Sequence, residues 1–335
     1  DGRNACDQIG FCMQGCASGA KWSTLYTEIP KAEATGRCEV RPSSMVLQIL
    51  LDASGKVSGV LYADDQGVQH LQKARAVCVA GNSIETPRLL LNSHTSAFPD
   101  GLANSSGQVG KNYVRNAQGY VYGLFERPVH MHRGVAAAGI VRDESHHDPA
   151  RGFAAGFLMT TCGVGLGNYA AALDPRGWGR AYAATLEHYE RTAGIWIAGE
   201  DLPMAKNGVT LHATERDRFG LPVPVVNIDE HPNDLAMVNY GLRKAADLLA
   251  AAGAWRTVET PPVPASHNLG TCRMSESGDS GVVNRWGRAH DIANLYVSDG
   301  SQFASSFVGN PTLTIVALAI RQAERIAQAM GRGEI

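Results

Sequence analysis

AVCVAGNSIETPRLLLNS, residues 76–93, joins a short apolar run to an amphipathic one. Residues 76–80 are wholly apolar and are closed by Gly81, which is typical of a parallel strand buried on both faces. Thr86 and Pro87 then supply an N-cap and a first helical residue for the run that follows. A buried parallel strand followed by a helix predicts an α/β fold with a parallel sheet.

The residues before this stretch predict an antiparallel meander. Residues 38–52 read as a strand pair, residues 56–64 as a return strand, and residues 68–74 as its extension. Further upstream, residues 22–34 predict a helix that Gly36 ends.

The middle of the chain differs in pattern from its two ends. Alternating segments there indicate an antiparallel sheet, whereas residues 295–297 again read as a short buried strand and residues 311–330 as a helix. We therefore expect an α/β chain (α+β overall) in which the two ends share one domain. The predicted divisions are 1–115, 116–264 and 265–335.

Composition narrows the class of protein. The chain has 335 residues, of which 44% are hydrophobic and 19% charged, and this argues against a disordered or fibrous protein. Thirty basic and 32 acidic residues give a formal charge of −2, which gives no support for a nucleic-acid partner. Apolar runs such as residues 313–320 fall short of the roughly 18 residues that suggest a membrane span.

Three segments near the C-terminal end are the most specific. They are SHNLGTCRM at 266–274, DGS at 299–301 and NPTLT at 310–314. Their order and spacing resemble the glucose–methanol–choline (GMC) family of flavin oxidoreductases, in which H-x-x-G-T-C-x-M precedes D-G/A-S and N-P-T-x-T. Residues 80–93 and SSGQVGKNY at 105–113 resemble two further family segments. Each motif is weak, but five in order over nearly the whole chain are specific.

The resemblance implies roles for two residues in the oxidation of a CH–OH group. His267 titrates near neutral pH and would take the hydroxyl proton, while Asn310 would orient the substrate oxygen as hydride passes to flavin N5. The N-terminus of the last helix, at Pro311 and Thr312, would favour the anionic reduced flavin. Outside this context, a lone histidine is usually a hydrogen-bonded core residue.

The resemblance also implies FAD as the cofactor. Val46 lies in a strand whose valine backbone would contact the adenine, although core packing explains a valine there equally well. Asp299 and Gly300 end a strand whose backbone would approach the ribityl and pyrophosphate groups. The predicted FAD-binding residues are Val46, Ala80, Gly81, Asp299, Gly300, Asn310, Pro311 and Thr312.

Cys6, Cys12 and Cys16 form a C-x5-C-x3-C segment. This spacing differs from that of zinc fingers and ferredoxins, and a disulfide with one free thiol is an alternative. It resembles a segment in the flavin subunits of bacterial membrane-associated sugar dehydrogenases, where three cysteines hold a [3Fe-4S] cluster. The resemblance then implies a small accessory subunit and a cytochrome c subunit as partners, and a periplasmic or membrane-associated location. Without the cluster, we expect a cytoplasmic location.

One family element does not appear in the sequence. Family members begin with a strand, G-x-G-x-x-G and a helix that receive the FAD pyrophosphate. No G-x-G-x-x-G follows a predicted strand here, and the glycine run at 163–167 stands in another context. We therefore expect an incomplete FAD-binding domain that needs the missing N-terminal segment, in cis or in trans, to bind flavin.

The sequence thus predicts an FAD-dependent dehydrogenase that oxidises an alcohol, polyol or sugar and passes electrons through the cluster to a cytochrome or quinone. One alternative is a cluster-free alcohol or choline-type dehydrogenase or oxidase. The other is a non-catalytic binding or electron-transfer subunit. Iron content distinguishes the first two, and retained flavin distinguishes both from the third.

Overall fold

The computed structural model describes residues 2–12, 14–174, 176–260 and 265–335. Backbone contacts divide the chain into two units, each described here over those residues. The first unit comprises 1–41, 117–199 and 232–264, and the second comprises 42–116, 200–231 and 265–335.

Strands and helices alternate irregularly along the described chain. The strands are β1 (Met45–Leu51), β2 (Val57–Ala63), β3 (Gln69–Lys73), β4 (Val77–Val79), β5 (Ala117–Leu124), β6 (Ile140–Val141), β7 (Phe157–Cys162), β8 (Thr192–Gly199), β9 (Gly208–Arg216), β10 (Pro222–Asn227), β11 (Arg256–Glu259) and β12 (Leu295–Val297). The α-helices are α1 (Glu28–Glu33), α2 (Asn82–Asn92), α3 (Leu166–Leu173), α4 (Gly179–Leu186), α5 (Pro232–Ala251) and α6 (Thr312–Gly331). Among the described residues, none of the helices is long and apolar enough to cross a membrane.

The second unit contains the predicted parallel strands. β4 pairs in parallel with β12, with Cys78 opposite Tyr296. β1, β2 and β3 form an antiparallel meander, and β9 and β10 form a separate hairpin. The strand pair predicted over 38–52 is a single strand, β1, because residues 38–44 are not extended into a ladder and include Pro42, which has no N–H to donate. The buried core includes Ile49, Leu90 and Leu295, each fully enclosed. The mixed α/β fold with parallel and antiparallel sheets is therefore confirmed.

Helix α2 begins earlier than the sequence predicts. Its first residue is Asn82 rather than Thr86 or Pro87, so Pro87 lies within the helix. A proline there has no N–H to donate to the carbonyl of Ser83, four residues earlier. The Thr271 hydroxyl donates to that carbonyl instead, at 2.9 Å. A side chain from a distant segment thus replaces the missing helical hydrogen bond.

The first unit is built on an antiparallel sheet of five strands in the order β11-β5-β8-β7-β6. Helix α5 packs on this sheet, and its buried Met237 lies in one cluster with Val121, Phe157 and Ile197. Gly241 on α5 permits this contact, because a Cβ there would lie 3.1 Å from Ile197.

The two units divide the chain differently from the three predicted domains. Residues 1–41 group with the antiparallel sheet, because Gly134 N donates to Gln8 O at 2.7 Å. Residues 200–231 group with the second unit, because Val209 N donates to Gly110 O at 2.7 Å. The predicted boundary at residue 264 lies outside the described residues. The helix predicted over 22–34 is shortened to α1, Glu28–Glu33.

Candidate active site

His267 lies between two asparagine side chains in the second unit. Its Nδ1 is 3.0 Å from Oδ1 of Asn116, and its Nε2 is 3.2 Å from Nδ2 of Asn310. The ring is partly buried, and this burial lowers the pKa of His267 below its ordinary value. A neutral imidazole at physiological pH has one nitrogen that can accept a proton, which is the property required of a general base.

The structure thus brings together the two predicted catalytic residues, His267 and Asn310, and adds a third. No sequence motif gives Asn116 a role, and its contact with His267 spans 151 positions. The strand-like pairing of the two segments could not be inferred from either segment alone.

A short antiparallel bridge holds the histidine segment opposite residues 112–116. Val114 and Leu269 exchange backbone hydrogen bonds of 3.0 and 2.8 Å. Gly270 makes this approach possible, since its φ is +75° and a Cβ there would lie 2.1 Å from the carbonyl oxygen of Asn112. The bridge therefore fixes where the His267 side chain begins.

Asp299 lies two residues after the end of β12, and both oxygens of its carboxylate accept hydrogen bonds within the protein. Oδ2 accepts hydrogen bonds from Thr86 Oγ1 at 2.5 Å and from the backbone N–H of Asn82 at 2.9 Å. Oδ1 accepts from the backbone N–H of Ser301 at 2.8 Å. The carbonyl oxygen of Asp299 also accepts a hydrogen bond, from Nε2 of Gln302 at 3.1 Å. At Gly300 a Cβ would lie 2.8 Å from the carbonyl oxygen of Asn268, so protein packing alone requires glycine there.

Helix α6 begins at Thr312, directly after Asn310 and Pro311. Its unpaired N–H groups therefore lie close in sequence to the side chain that contacts His267. Because a helix N-terminus favours negative charge, the predicted residues Pro311 and Thr312 are placed where they could stabilise an anionic group beside the base.

Val46, Ala80 and Gly81 line one groove of about 660 Å³. Its walls are mainly aliphatic and come from β1, β2, β4 and α2. The amide nitrogen of Asn92, one of the lining residues, is buried without a hydrogen-bond partner. An aliphatic groove with a nearby unsatisfied donor fits a flat heteroaromatic ring system such as the adenine of FAD. The lining residues are Met45, Val46, Val60, Val77, Cys78, Val79, Ala80, Gly81, Glu85, Arg88, Leu89, Asn92 and Leu221.

The three N-terminal cysteines are not assembled as a ligand set. Cys6 is exposed, Cys12 and Cys16 are partly buried, and all seven cysteines are free of disulfides. Across the described ranges, no group of three or more His, Cys, Asp or Glu side chains could hold a metal ion. Hydrogen bonds from Ser18 and from the backbone of Lys21 lower the pKa of Cys16. As placed, these side chains do not fit a [3Fe-4S] cluster.

The chain matches two models of one family, both described as GMC oxidoreductase. The first covers residues 1–116 and the second residues 203–319. The chain therefore belongs to the GMC oxidoreductase family. Residues 1–116 thus match the family's N-terminal model, which weakens the prediction that the FAD-binding domain is incomplete but does not overturn it.

Several curated proteins are similar along almost the whole chain. It is 35% identical to 2-methyl-1,2-propanediol dehydrogenase of Mycolicibacterium austroafricanum, over 98% of the chain and 61% of that protein. It is 29% identical to the fructose dehydrogenase large subunit of Gluconobacter japonicus, over 99% and 61%, respectively. It is 30% identical to paromamine 6'-oxidase of Streptomyces fradiae, over 97% and 59%. The chain thus spans about three fifths of the length of these relatives.

Solved structures share the fold. Pyridoxine 4-oxidase from Mesorbium loti superposes with a TM-score of 0.61 at 16% identity, covering 85% of this chain and 57% of that one. A formate oxidase variant from Aspergillus oryzae gives a TM-score of 0.65 at 16% identity, covering 92% and 62%. At this identity the likeness concerns the fold alone.

Proposed function

We propose that this chain carries the catalytic residues of an FAD-dependent dehydrogenase that oxidises a CH–OH group. The observation that carries the proposal is the placement of His267, a partly buried imidazole held between Asn116 and Asn310. Membership of the GMC family supports the reaction class.

Each neighbour of His267 has a distinct task in this proposal. Nε2 of His267 accepts the proton of the substrate hydroxyl, since Nδ1 is engaged by Asn116. The Asn310 side chain is exposed and lies 3.2 Å from the same nitrogen, so its amide can donate to the substrate oxygen and orient it. Bound FAD would supply the acceptor for the hydride that leaves the carbinol carbon, and the product is an aldehyde or ketone.

The groove lined by Val46, Ala80 and Gly81 would hold the adenine end of FAD. The backbone at Asp299 and Gly300 and the start of α6 would face its remaining polar groups. The aliphatic walls of the groove support the assignment of the adenine end.

The proposed substrate is an alcohol, polyol or sugar. Two of the similar proteins are named as dehydrogenases of a diol and of fructose, which supports a hydroxyl-bearing substrate. An oxidase is the second candidate, because paromamine 6'-oxidase is similar to nearly the same extent. Dependence of turnover on O₂ distinguishes the two.

We further propose that Cys6, Cys12 and Cys16, once rearranged, would hold a [3Fe-4S] cluster, which would supply a route for electrons to a cytochrome or quinone. The proposed setting is the periplasmic face, beside accessory and cytochrome c subunits. The support for the cluster is the cysteine spacing, together with similarity to a fructose dehydrogenase large subunit and, at 24% identity, a gluconate 2-dehydrogenase flavoprotein. These side chains would have to rearrange to bind the cluster, so the roles given to His267 and Asn310 do not depend on it.

The test uses the native protein, with flavin and iron quantified per chain. We expect bound flavin that an alcohol or sugar reduces, and a His267→Gln variant that retains flavin but is reduced at least about 100-fold more slowly. Absence of flavin, or wild-type reduction by His267→Gln, would refute the proposed function. About three irons per chain, lost in Cys16→Ser, would support the cluster, and iron-free flavoprotein would exclude it.

A further inference from the structure

We propose that Asn116 is a positioning residue that fixes the tautomer of His267, with the proton on Nδ1 and the lone pair on Nε2. The inference deepens the proposed function and rests on it, because this tautomer presents the basic nitrogen beside Asn310. All the residues involved belong to the second unit.

The first step is the orientation of the Asn116 amide. Its Nδ2 lies 2.8 Å from the carbonyl oxygen of Phe307, which can only accept a hydrogen bond. The nitrogen of the amide must therefore face Phe307. The amide oxygen, Oδ1, is left facing His267 at 3.0 Å.

The second step follows from the chemistry of an amide oxygen, which can only accept. Nδ1 of His267 must therefore carry a proton. A neutral imidazole has a single N–H, so Nε2 is an acceptor, and the Asn310 amide nitrogen lies 3.2 Å from it. Both asparagines thus select the same tautomer, whereas a free imidazole exchanges between the two.

The third step is the rigidity of Asn116 itself. It is only 3% exposed and has a φ of +65°, a left-handed conformation that asparagine tolerates better than most residues. Its backbone N–H donates to Oδ1 of Asp201 at 3.0 Å, and the backbone N–H of Arg115 donates to Oδ2 at 2.6 Å. The backbone N–H of Asp201 donates in turn to Oγ of Ser306 at 2.8 Å.

The charged and titratable groups around this network have partners of their own. The Asp201 carboxylate accepts from backbone N–H groups, the Arg115 guanidinium donates to Glu230, and the Tyr113 hydroxyl donates to Asn268. Burial, rather than any of these charges, lowers the pKa of His267. The Asn116 amide is therefore the group whose removal should change the proton distribution on the ring.

The experiment is ¹⁵N NMR of the native protein labelled in its histidine rings, with the His267 signals assigned by their loss in His267→Gln. We expect a protonated Nδ1 and an unprotonated Nε2 in the wild type, and a mixture of tautomers in Asn116→Ala. Asn112→Ala is the matched control. Asn112 lies in the same loop with φ +62° but bonds to Gln108, so this variant should keep the wild-type tautomer.

A pH profile supplies a second readout. In Asn116→Asp a carboxylate facing Nδ1 should raise the pKa of His267 and move the acid limb of kcat/KM to higher pH, while Asn116→Ala should lower kcat/KM about tenfold with flavin retained. Protonated Nε2 in the wild type, or an unchanged tautomer in Asn116→Ala, would overturn the proposal. Should the alanine variant not fold, an unshifted profile in Asn116→Asp overturns it. Failure of the proposed function is separate, because it shows as full activity of His267→Gln.

Discussion

Arg88 connects α2 to the β9–β10 hairpin, and its replacement by alanine should cost far more than the loss of a typical surface arginine. Its side chain is 7% exposed and bonds to Asp217 at 2.6 Å and to Glu85 at 3.0 Å. It also donates to the carbonyl oxygen of Pro222 at 2.8 Å. Arg88→Ala would leave the mostly buried Asp217 carboxylate without its counter-charge.

The magnitude follows from the exposure of the partners. Removing one member of a buried ion pair costs roughly 3–5 kcal/mol. The Asp217 side chain is 20% exposed, so water recovers part of this, and Glu85, at 43% exposed, adds little. We expect Arg88→Ala to lower the local stability of α2 and the hairpin by about 2–4 kcal/mol.

Hydrogen exchange at the backbone amides of α2, β9 and β10 measures this local free energy in the native protein. Arg325→Ala is the matched control, because Arg325 is 29% exposed and pairs at 2.9 Å with Glu334, which is 39% exposed. We expect Arg325→Ala to lower the local stability by no more than about 1 kcal/mol. An Arg88→Ala effect no larger than that of Arg325→Ala would refute the reasoning. Since Arg88 also lines the groove, the variant should retain less flavin.

The same contact predicts a dependence on pH. Burial alone would raise the pKa of Asp217, but hydrogen bonds from Arg88 and from two backbone N–H groups bring it below its ordinary value. A carboxyl whose pKa is lower in the folded state stabilises the fold above the pKa of the unfolded chain, about 3.9. This stabilisation is lost as pH falls through the folded-state pKa. The stability difference between wild type and Asp217→Asn should thus persist at pH 7 and disappear in strong acid.

Three further predictions concern Gly270, the buried Met237 and the proposed base, His267. Gly270→Ala should lower the free energy of thermal unfolding by about 2–5 kcal/mol, because the added methyl group would clash with the backbone of Asn112. The control is Gly167→Ala on α3, whose methyl group would meet no atom within 4 Å, so this variant should be neutral or stabilising. Met237→Ala should cost about 2–5 kcal/mol in urea unfolding of the first unit, since Met237 is fully buried. Because the neutral form of His267 is the proposed base, kcat/KM should fall as pH drops through a pKa below 6.5. A midpoint above pH 7 would contradict that assignment.

Local sequence patterns were sufficient to predict the existence of β4, β12 and α6 in the second unit. The apolar run at 76–80 and the run at 295–297 became β4 and β12. β12 is buried throughout, but Cys78 of β4 is exposed, so the prediction that β4 is buried on both faces was wrong. The helix predicted over 311–330 became α6, Thr312–Gly331, since its start follows a proline.

Contacts between distant segments could not be predicted in this way. The earlier start of α2 depends on Thr271, which lies 188 positions from Ser83, and a single-sequence pattern contains no sign of that hydrogen bond. The sequence assigns no role to Asn116 for the same reason, since its contact with His267 spans 151 positions. The cysteine spacing likewise predicts which residues could bind a cluster, but spacing does not determine whether three side chains converge.

The long-range contacts also give a physical reason for the residue types found in the H-x-x-G-T-C segment. Gly270 lets the segment approach residues 112–116 and so places His267 against Asn116. The next residue, Thr271, donates to the carbonyl oxygen of Ser83 in the first turn of α2, and Cys272 N donates to the carbonyl oxygen of Ser301, two residues after Asp299. One short segment therefore sets the position of the proposed base and that of the groove walls together. A substitution at 270–272 should consequently disturb proton transfer and flavin retention at once, whereas a change at Asn116 should disturb only the former.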